Sequence, residues 1–128
     1  MELSVRPELL AVCRLPAEAP WPSPPADGSL FSVTGTGSEL SVVCRVDAAP
    51  PTARIEPGWR ALTVTGPLDF SAIGVIARLT ARLAAAGVAV FVLSTYDTDH
   101  ILVKDGDLGL AVDALRTDGH SVGPHQAA

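Results

Sequence analysis

Lysine is almost absent from this chain. Lys104 is the only lysine beside eight arginines, which stand singly along the sequence. Binding to a nucleic-acid backbone requires clustered positive charge that neutralises several phosphates. The formal net charge is −5, so the sequence argues against a nucleic-acid partner.

Long apolar runs are also missing. The longest, Ala84–Leu93, contains Gly87 and is far shorter than the ~20 apolar residues of a membrane-spanning helix. The N-terminus, MELSVRPELL, has an acidic residue at position 2 and no apolar region typical of a secretory signal. We therefore expect no membrane association and a cytoplasmic location.

Cysteine and histidine are too few to suggest a metal centre. Cys13 and Cys44 each lie in an apolar strand-like run and are interpreted as small buried hydrophobic residues. Of the three histidines, His100 follows a turn, while His120 and His125 fall in a C-terminal region expected to fray. Glycine-rich phosphate loops and a G-x-S-x-G motif are absent. We predict no metal, no cofactor and no enzymatic activity.

Proline, by contrast, is abundant in the first half. Residues 1–58 hold nine of the eleven prolines, and Pro16–Pro25 cannot form a long helix because proline lacks an N–H and clashes with the preceding turn. A hairpin turn is predicted at Thr34–Ser38 and a connector at Ala48–Pro57. The predicted strands of this half are Leu9–Leu15, Leu30–Thr34 and Leu40–Val46.

From Trp59 onward the pattern becomes regular. Apolar residues recur at helical spacing from Leu68 to Ala86, and a second helix is predicted from Asp107 to Gly119. Val88–Leu93 is apolar on both faces, as in a fully buried strand. The predicted strands are Arg60–Thr65, Val88–Leu93, Asp99–Val103 and His120–Val122. The resulting order, βαββαβ, indicates a ferredoxin-like α+β arrangement.

Most of the chain also resembles a known family. Gly66–Val103, GPLDFSAIGVIARLTARLAAAGVAVFVLSTYDTDHILV, resembles the ACT domain of the aspartokinase-regulatory kind. With LLAVCRLP, LFSVTGTGSELSVVC and IEPGWRALTVTGPLDF, it is more closely similar to bacterial stand-alone paired-ACT proteins and to the ACT halves of the CASTOR arginine-sensor family. The resemblance covers roughly residues 3–120. It implies two tandem ferredoxin-like ACT units with antiparallel sheets and helices on one face: a degenerate one at 1–58, a complete one at 59–122, and a tail at 123–128.

Regulation rather than catalysis is what this resemblance implies. ACT domains bind a free amino acid at an interface between two ACT units, and a chain with one competent unit would form that interface in a homodimer. The implied ligand-binding residues are Asp69, Phe70, Ser71, Ala72, Ile73, Gly74, Ala89, Val90, Thr95, Tyr96 and Asp99. The family's arginine-binding half carries a glutamate at the position of Ala72, so we do not predict arginine as the ligand.

The chemistry of these residues leaves alternatives open. Free N–H groups at a helix start suit a ligand carboxylate, and Gly74 either permits its close approach or packs the helix against the sheet. Asp99 either accepts from a ligand ammonium or stabilises its own turn, whereas Asp97 is expected to be a solvated turn residue. Ala89 and Val90 are either partner contributions or ordinary strand residues.

A protein-docking function is the main alternative. Small ferredoxin-like units also serve as ligand-independent dimerisation or docking surfaces, because a fold does not dictate a function. In the resembling family, the segment that matches Tyr96–Asp99 in the other ACT half belongs to a partner-docking surface. The same four residues could therefore face a protein partner.

Overall fold

The computed structural model of the chain describes residues 1–69 and 72–126. This described part is an α+β fold with eight strands and two helices. The contacts divide it into two compact units: Glu8–Trp59 forms the smaller unit, and Met1–Pro7 with the chain from Arg60 onward forms the larger one. The strands are β1 (Glu2–Val5), β2 (Leu10–Leu15), β3 (Ser32–Gly35), β4 (Leu40–Arg45), β5 (Arg54–Val64), β6 (Val90–Ser94), β7 (Asp99–Lys104) and β8 (Ser121–Pro124); the helices are α1 (Val75–Ala85) and α2 (Leu108–Thr117).

The smaller unit is a sheet in the order β3-β4-β2-β5, where β5 contributes its first residues. The hairpin predicted at Thr34–Ser38 is confirmed, because Gly35 pairs with Leu40 across the turn. No α-helix occurs between residues 8 and 59, all of which are described. That this unit is a degenerate ACT domain stays a prediction. Its buried core consists of Ala11, Cys13, Leu15, Leu40, Val42 and Cys44.

The predicted connector Ala48–Pro57 was wrong in its second part. Its last four residues belong to β5 and pair with β2. The register shifts there, because Leu10 pairs with Trp59 whereas Ala11 pairs with Pro57. Gly58 is thus an extra residue in a β-bulge, which lets a proline and a glycine lie within a strand.

In the larger unit the strands lie in the order β6-β7-β5-β1-β8. The predicted succession β5-α1-β6-β7-α2-β8 is confirmed, but β1 was not predicted and lies between β5 and β8. It pairs antiparallel with β5 and parallel with β8. The first seven residues therefore pack in this unit, although the predicted boundary grouped them with residues 1–58. A four-residue strand, ELSV, has too little periodicity to be recognised from the sequence.

One face of the larger sheet is covered by both helices. Leu79 and Leu83 of α1, and Ala111 and Leu115 of α2, are fully buried there. This explains their helical spacing in the sequence, since residues three or four apart share a helix face. The sheet supplies the other half of this core through Leu3, Leu62, Val64, Ile101, Val103 and Val122.

Helix α1 is shorter than predicted. It begins at Val75 rather than Leu68, after Gly74, whose φ of 78° is left-handed and non-helical. The N–H of Leu68 donates to the carbonyl of Asp97 at 2.7 Å instead of following a helical path. Ile73, which was included in the helical periodicity, is 91% exposed.

Strand β6 was also predicted wrongly as fully buried. It starts at Val90 and lies at the edge of the sheet, where in the described residues it pairs with β7 alone. Val92 is 39% exposed. The strand is apolar on both faces, as predicted. It is nevertheless partly exposed, because a strand at the edge of a sheet has a neighbouring strand on one side only.

The C-terminal region is ordered by contacts rather than frayed. β8 extends to Pro124, and the N–H of His125 donates to the carbonyl of Val5 at 3.0 Å. His120 is buried and lies 3.2 Å from Asp118 through its Nε2 atom. None of the helices in the described residues is long and apolar enough to span a bilayer.

Replacing Leu79 with alanine should test the helix-covered core. Leu79→Ala removes a fully buried side chain and should lower the free energy of unfolding by about 2–5 kcal/mol. Leu110→Ala, in the other helix where the leucine is 50% exposed, should change it by less than about 0.5 kcal/mol. Urea unfolding followed by circular dichroism measures both, and equal losses would contradict this packing.

Candidate functional site

A cavity of about 260 Å³ opens in the larger unit between the loop that precedes α1 and the turn that joins β6 to β7. Six of the predicted ligand-binding residues line it: Asp69, Ala72, Gly74, Thr95, Tyr96 and Asp99. The remaining lining residues described are Leu68, Val75, Ile76, Ser94, Asp97 and Thr98. Two segments that are about 25 residues apart in sequence thus meet at one cavity. We call it the loop–turn pocket.

Other predicted site residues lie elsewhere. Ile73 is exposed and does not line the loop–turn pocket. Ala89 is exposed just before β6, and Val90 is half-buried at the start of that strand; neither lines the pocket of its own chain. Phe70 and Ser71 lie outside the described residues.

Hydrogen bonds within the turn hold its polar side chains in place. The Thr95 N–H donates to the carbonyl of Thr98 at 2.8 Å, which closes the turn. The Ser94 hydroxyl donates to Asp99 Oδ1 at 2.5 Å. Asp99 thus links the two strand ends that flank the turn through a side-chain bond. This bond uses one of its two carboxylate oxygens, and the residue still lines the pocket.

The start of α1 supplies hydrogen-bond donors. Its first residues, Val75 and Ile76, line the pocket, and no side chain among the described residues 1–69 and 72–126 caps this end of the helix. The N–H groups of a first helical turn have no partner within the helix and carry partial positive charge. No acidic side chain occupies that first turn. This end of the pocket is suited to a carboxylate.

The lining side chains carry negative charge. Asp69, Asp97 and Asp99 line the pocket, and no lysine, arginine or histidine does so in the described part of the chain. Carboxylates form strong charge-assisted hydrogen bonds with ammonium groups. The pocket therefore combines donors for an anion at the helix start with acceptors for a cation at the turn.

A second cavity, of about 720 Å³, lies beside the first and shares Asp97 and Thr98 with it. Ser4 and His125 also line it, and Ser4 Oγ is 2.8 Å from His125 Nδ1. On the other side of the ring, Nη1 of Arg6 is 3.3 Å from Nε2.

This Ser4–His125 pair lacks the arrangement of a catalytic pair. A guanidinium can only donate, so Nε2 accepts and the ring proton of a neutral His125 lies on Nδ1. Nδ1–H then donates to the serine oxygen, whereas an activating base must accept the serine proton. The contact gives no support to a hydrolytic function.

His100 is a buried histidine in the same region. Its Nδ1 lies 2.9 Å from the Thr63 hydroxyl. Burial lowers the pKa of His100 below its ordinary value of about 6.5, and the positive charge of Arg6 lowers it further, while Asp99 opposes the shift. Its neutral form is therefore favoured in the folded protein relative to the unfolded chain.

The two cysteines form no reactive site. Both are free and buried, and burial, followed by the neighbouring Cys13, raises the pKa of Cys44 to about 12. A thiol with such a pKa stays protonated and unreactive near neutral pH. Across residues 1–69 and 72–126, no group of three histidine, cysteine, aspartate or glutamate side chains is arranged to hold a metal ion.

Acidification should destabilise the fold through His100. Because its pKa is lowered in the folded state, the unfolded chain takes up the proton first as pH falls below about 6.5, and stability is lost from there downward. His100→Gln should make the free energy of unfolding less dependent on pH between 7.5 and 5.5. Urea unfolding at several pH values measures this, and identical slopes for both proteins would contradict it.

Comparison with protein families gives two matches. The family model described as the ACT domain matches residues 54–117, which is half of the chain. A second model, described as an N-terminal domain, matches residues 8–52. The boundary between the two matches lies close to the boundary between the two compact units.

Curated relatives include the protein named cytosolic arginine sensor for mTORC1 subunit 1. The bovine sensor is 36% identical over 64 residues, which cover 48% of this chain and 20% of the sensor. The mouse sensor is 34% identical over 59 residues, which cover 45% of this chain and 18% of the sensor. The chain spans about a fifth of the length of these relatives.

Solved structures extend the similarity to nearly the whole chain. A protein from Agobacterium tumefaciens is 34% identical with a TM-score of 0.87, covering 99% of this chain and 96% of that one. Aspartate kinase from Clostridium acetobutylicum is 11% identical with a TM-score of 0.65, covering 90% of this chain and 33% of the kinase. The second similarity concerns the fold alone.

Proposed function

This chain belongs to the ACT domain family, and on that premise we propose that it is a regulatory sensor that binds a free amino acid. The loop–turn pocket carries this proposal, because it offers donors at one end and acceptors at the other. A free amino acid presents a carboxylate and an ammonium, the two groups that such a pair of ends complements. The relative named as an arginine sensor supports a small-molecule regulatory role.

In the proposed complex, the carboxylate of the amino acid lies at the start of α1. It accepts hydrogen bonds from the backbone N–H groups there, as anions do at helix N-termini. A Cβ added at Gly74 would meet none of the described atoms within 4 Å, so there is space beside the backbone for a ligand at this point. The ammonium donates to Asp99, and Tyr96 covers the ligand.

The proposed assembly is a homodimer in which the edge strand β6 pairs with its copy. A two-fold antiparallel pair centred on Val92 sets the partner's Val90 opposite Ser94, and the partner's Ala89 opposite Thr95. Ala89 and Val90 lie outside the pocket of their own chain. Pairing of this kind would bring the partner's backbone to the rim of the pocket and would cover an exposed sheet edge.

The proposed setting is the cytoplasm, without nucleic acid, membrane or cofactor, and the proposed role is non-catalytic. The hydrogen bond between His125 and Ser4 supports a non-catalytic role, because the histidine ring donates to the serine oxygen instead of accepting its proton. A specific observation favours a second candidate function: Tyr96 is 80% exposed at the tip of the turn. An exposed aromatic residue suits a protein-docking surface at Tyr96–Asp99.

Amino-acid binding should stabilise the protein against heat. One or more of the twenty amino acids, at a concentration 100 times its Kd, should add about 2.7 kcal/mol to the free energy of unfolding. Asp99→Asn should lose most of this effect, since it removes the charge that the ammonium requires. Thermal-shift measurements over the whole set provide the readout.

Asp113→Asn is the matched control, because it makes the same change at an exposed position in α2 and should retain the response. Absence of any shift with all twenty amino acids would contradict the sensor function and favour docking. An equal loss in both variants would contradict the role of Asp99.

Pairing through β6 should be sensitive to charge at its edge. Val92→Lys places a solvated cation on the edge strand and should convert dimers into monomers. Ile55→Lys introduces a lysine at a similarly exposed position in β5 and should leave the dimer intact. Ile55 is 41% exposed and Val92 is 39% exposed. Sedimentation velocity distinguishes the two, and a dimeric Val92→Lys variant would contradict pairing through this edge.

A further inference from the structure

Two hydrogen bonds join the end of β5 and the segment after it to the turn between β6 and β7. The Leu68 N–H donates to the carbonyl of Asp97 at 2.7 Å. The Thr98 hydroxyl donates to the carbonyl of Val64 at 2.6 Å. One bond lies on each side of Gly66, and together they join the turn to the segment that leads into the loop before α1.

Gly66 makes this approach possible. A Cβ at this position would lie 2.9 Å from the Asp97 carbonyl oxygen, 3.1 Å from the Thr98 Cβ and 3.2 Å from the Leu68 nitrogen. Two of these three atoms belong to the backbone, so no flexible side chain can move aside. The φ of Gly66 is not among the positive values of the chain, so space rather than backbone conformation requires a glycine here.

The hydrogen bonds of Leu68 and Thr98 act as a clamp between the turn and the loop before α1. What we infer from this clamp rests on the proposed function. We propose that Gly66 is a positioning residue of the loop–turn pocket: it allows Leu68 and Thr98 to clamp the turn against the loop, so that donors at the start of α1 and acceptors at the turn keep a ligand-sized spacing. Gly66 itself does not line that pocket. It acts on the ligand through the position of Asp97 and Asp99.

The spacing matters because a free amino acid is short. Its ammonium and carboxylate are bonded to the same carbon atom. The donors at the start of α1 and the acceptors at the turn must therefore contact it at the same time. Hydrogen bonds weaken steeply when donor and acceptor depart from their preferred distance and angle. A turn displaced by a few tenths of an ångström would therefore lose contacts at one end while the fold remained intact.

The test combines amide hydrogen exchange with ligand binding in the full chain. In Gly66→Ala, exchange of the Leu68 amide should be at least tenfold faster, while the His120 amide, bonded to Leu115 in the same unit, should be unchanged. NMR titration with each of the twenty free amino acids should show at least a tenfold higher Kd for those that bind the natural chain. Gly106→Ala, where an added Cβ meets nothing within 4 Å, should leave both readouts within twofold.

A second variant covers the case in which Gly66→Ala does not fold. Thr98→Val keeps the shape of the side chain, removes the bond to Val64, and should accelerate Leu68 exchange and weaken binding in the same direction. Unchanged exchange and affinity in either folded variant would overturn the clamp, as would weaker binding with unchanged Leu68 exchange. If no amino acid binds the natural chain, the proposed function fails, and the exchange rates alone still support or overturn the clamp.

Discussion

The burial of one sheet face under two helices is the constraint on which the rest of this molecule depends. Leu62 and Val64 of β5 and Ile101 of β7 pack against α1 and α2 in a core closed to water. That packing sets which strand ends meet. Val64 O bonds to Thr98, and Ser94 pairs with Asp99, so β5 and β6 both end where β7 begins. The loop before α1 and the turn after β6 form a pocket for this reason.

The electrostatics of the pocket follow from the same architecture. The start of α1 supplies donors, since no described side chain caps it, and the turn that faces it supplies carboxylates. Neither end needs a basic side chain, which agrees with a chain that has only one lysine. Strand β6 lies at the edge of the sheet, and a site beside an edge strand can be completed by a second copy of the chain.

The two helices and the order of the elements in the larger unit were predictable, because they depend on local periodicity. The spacing of Leu79 and Leu83 predicted a helix with a buried face, whereas the grouping of Asp99 with the loop before α1 came from the resemblance to ACT domains. Strand β1 was missed because its pairing with β5 and β8 involves residues about 60 and 120 positions away. The role of Gly66 was hidden for a similar reason: its neighbour Asp97 is distant in sequence, and a glycine shows no requirement for space until the fold brings a backbone against it.

Native mass spectrometry of the full chain with each of the twenty amino acids tests the central claim most directly. It resolves the oligomeric state and the number of bound molecules in one spectrum. A sensor with two equivalent pockets, each completed by the other chain, should appear as a dimer that carries two amino-acid molecules. Amino acids bound to monomers, or dimers that bind none of the twenty, would contradict the account.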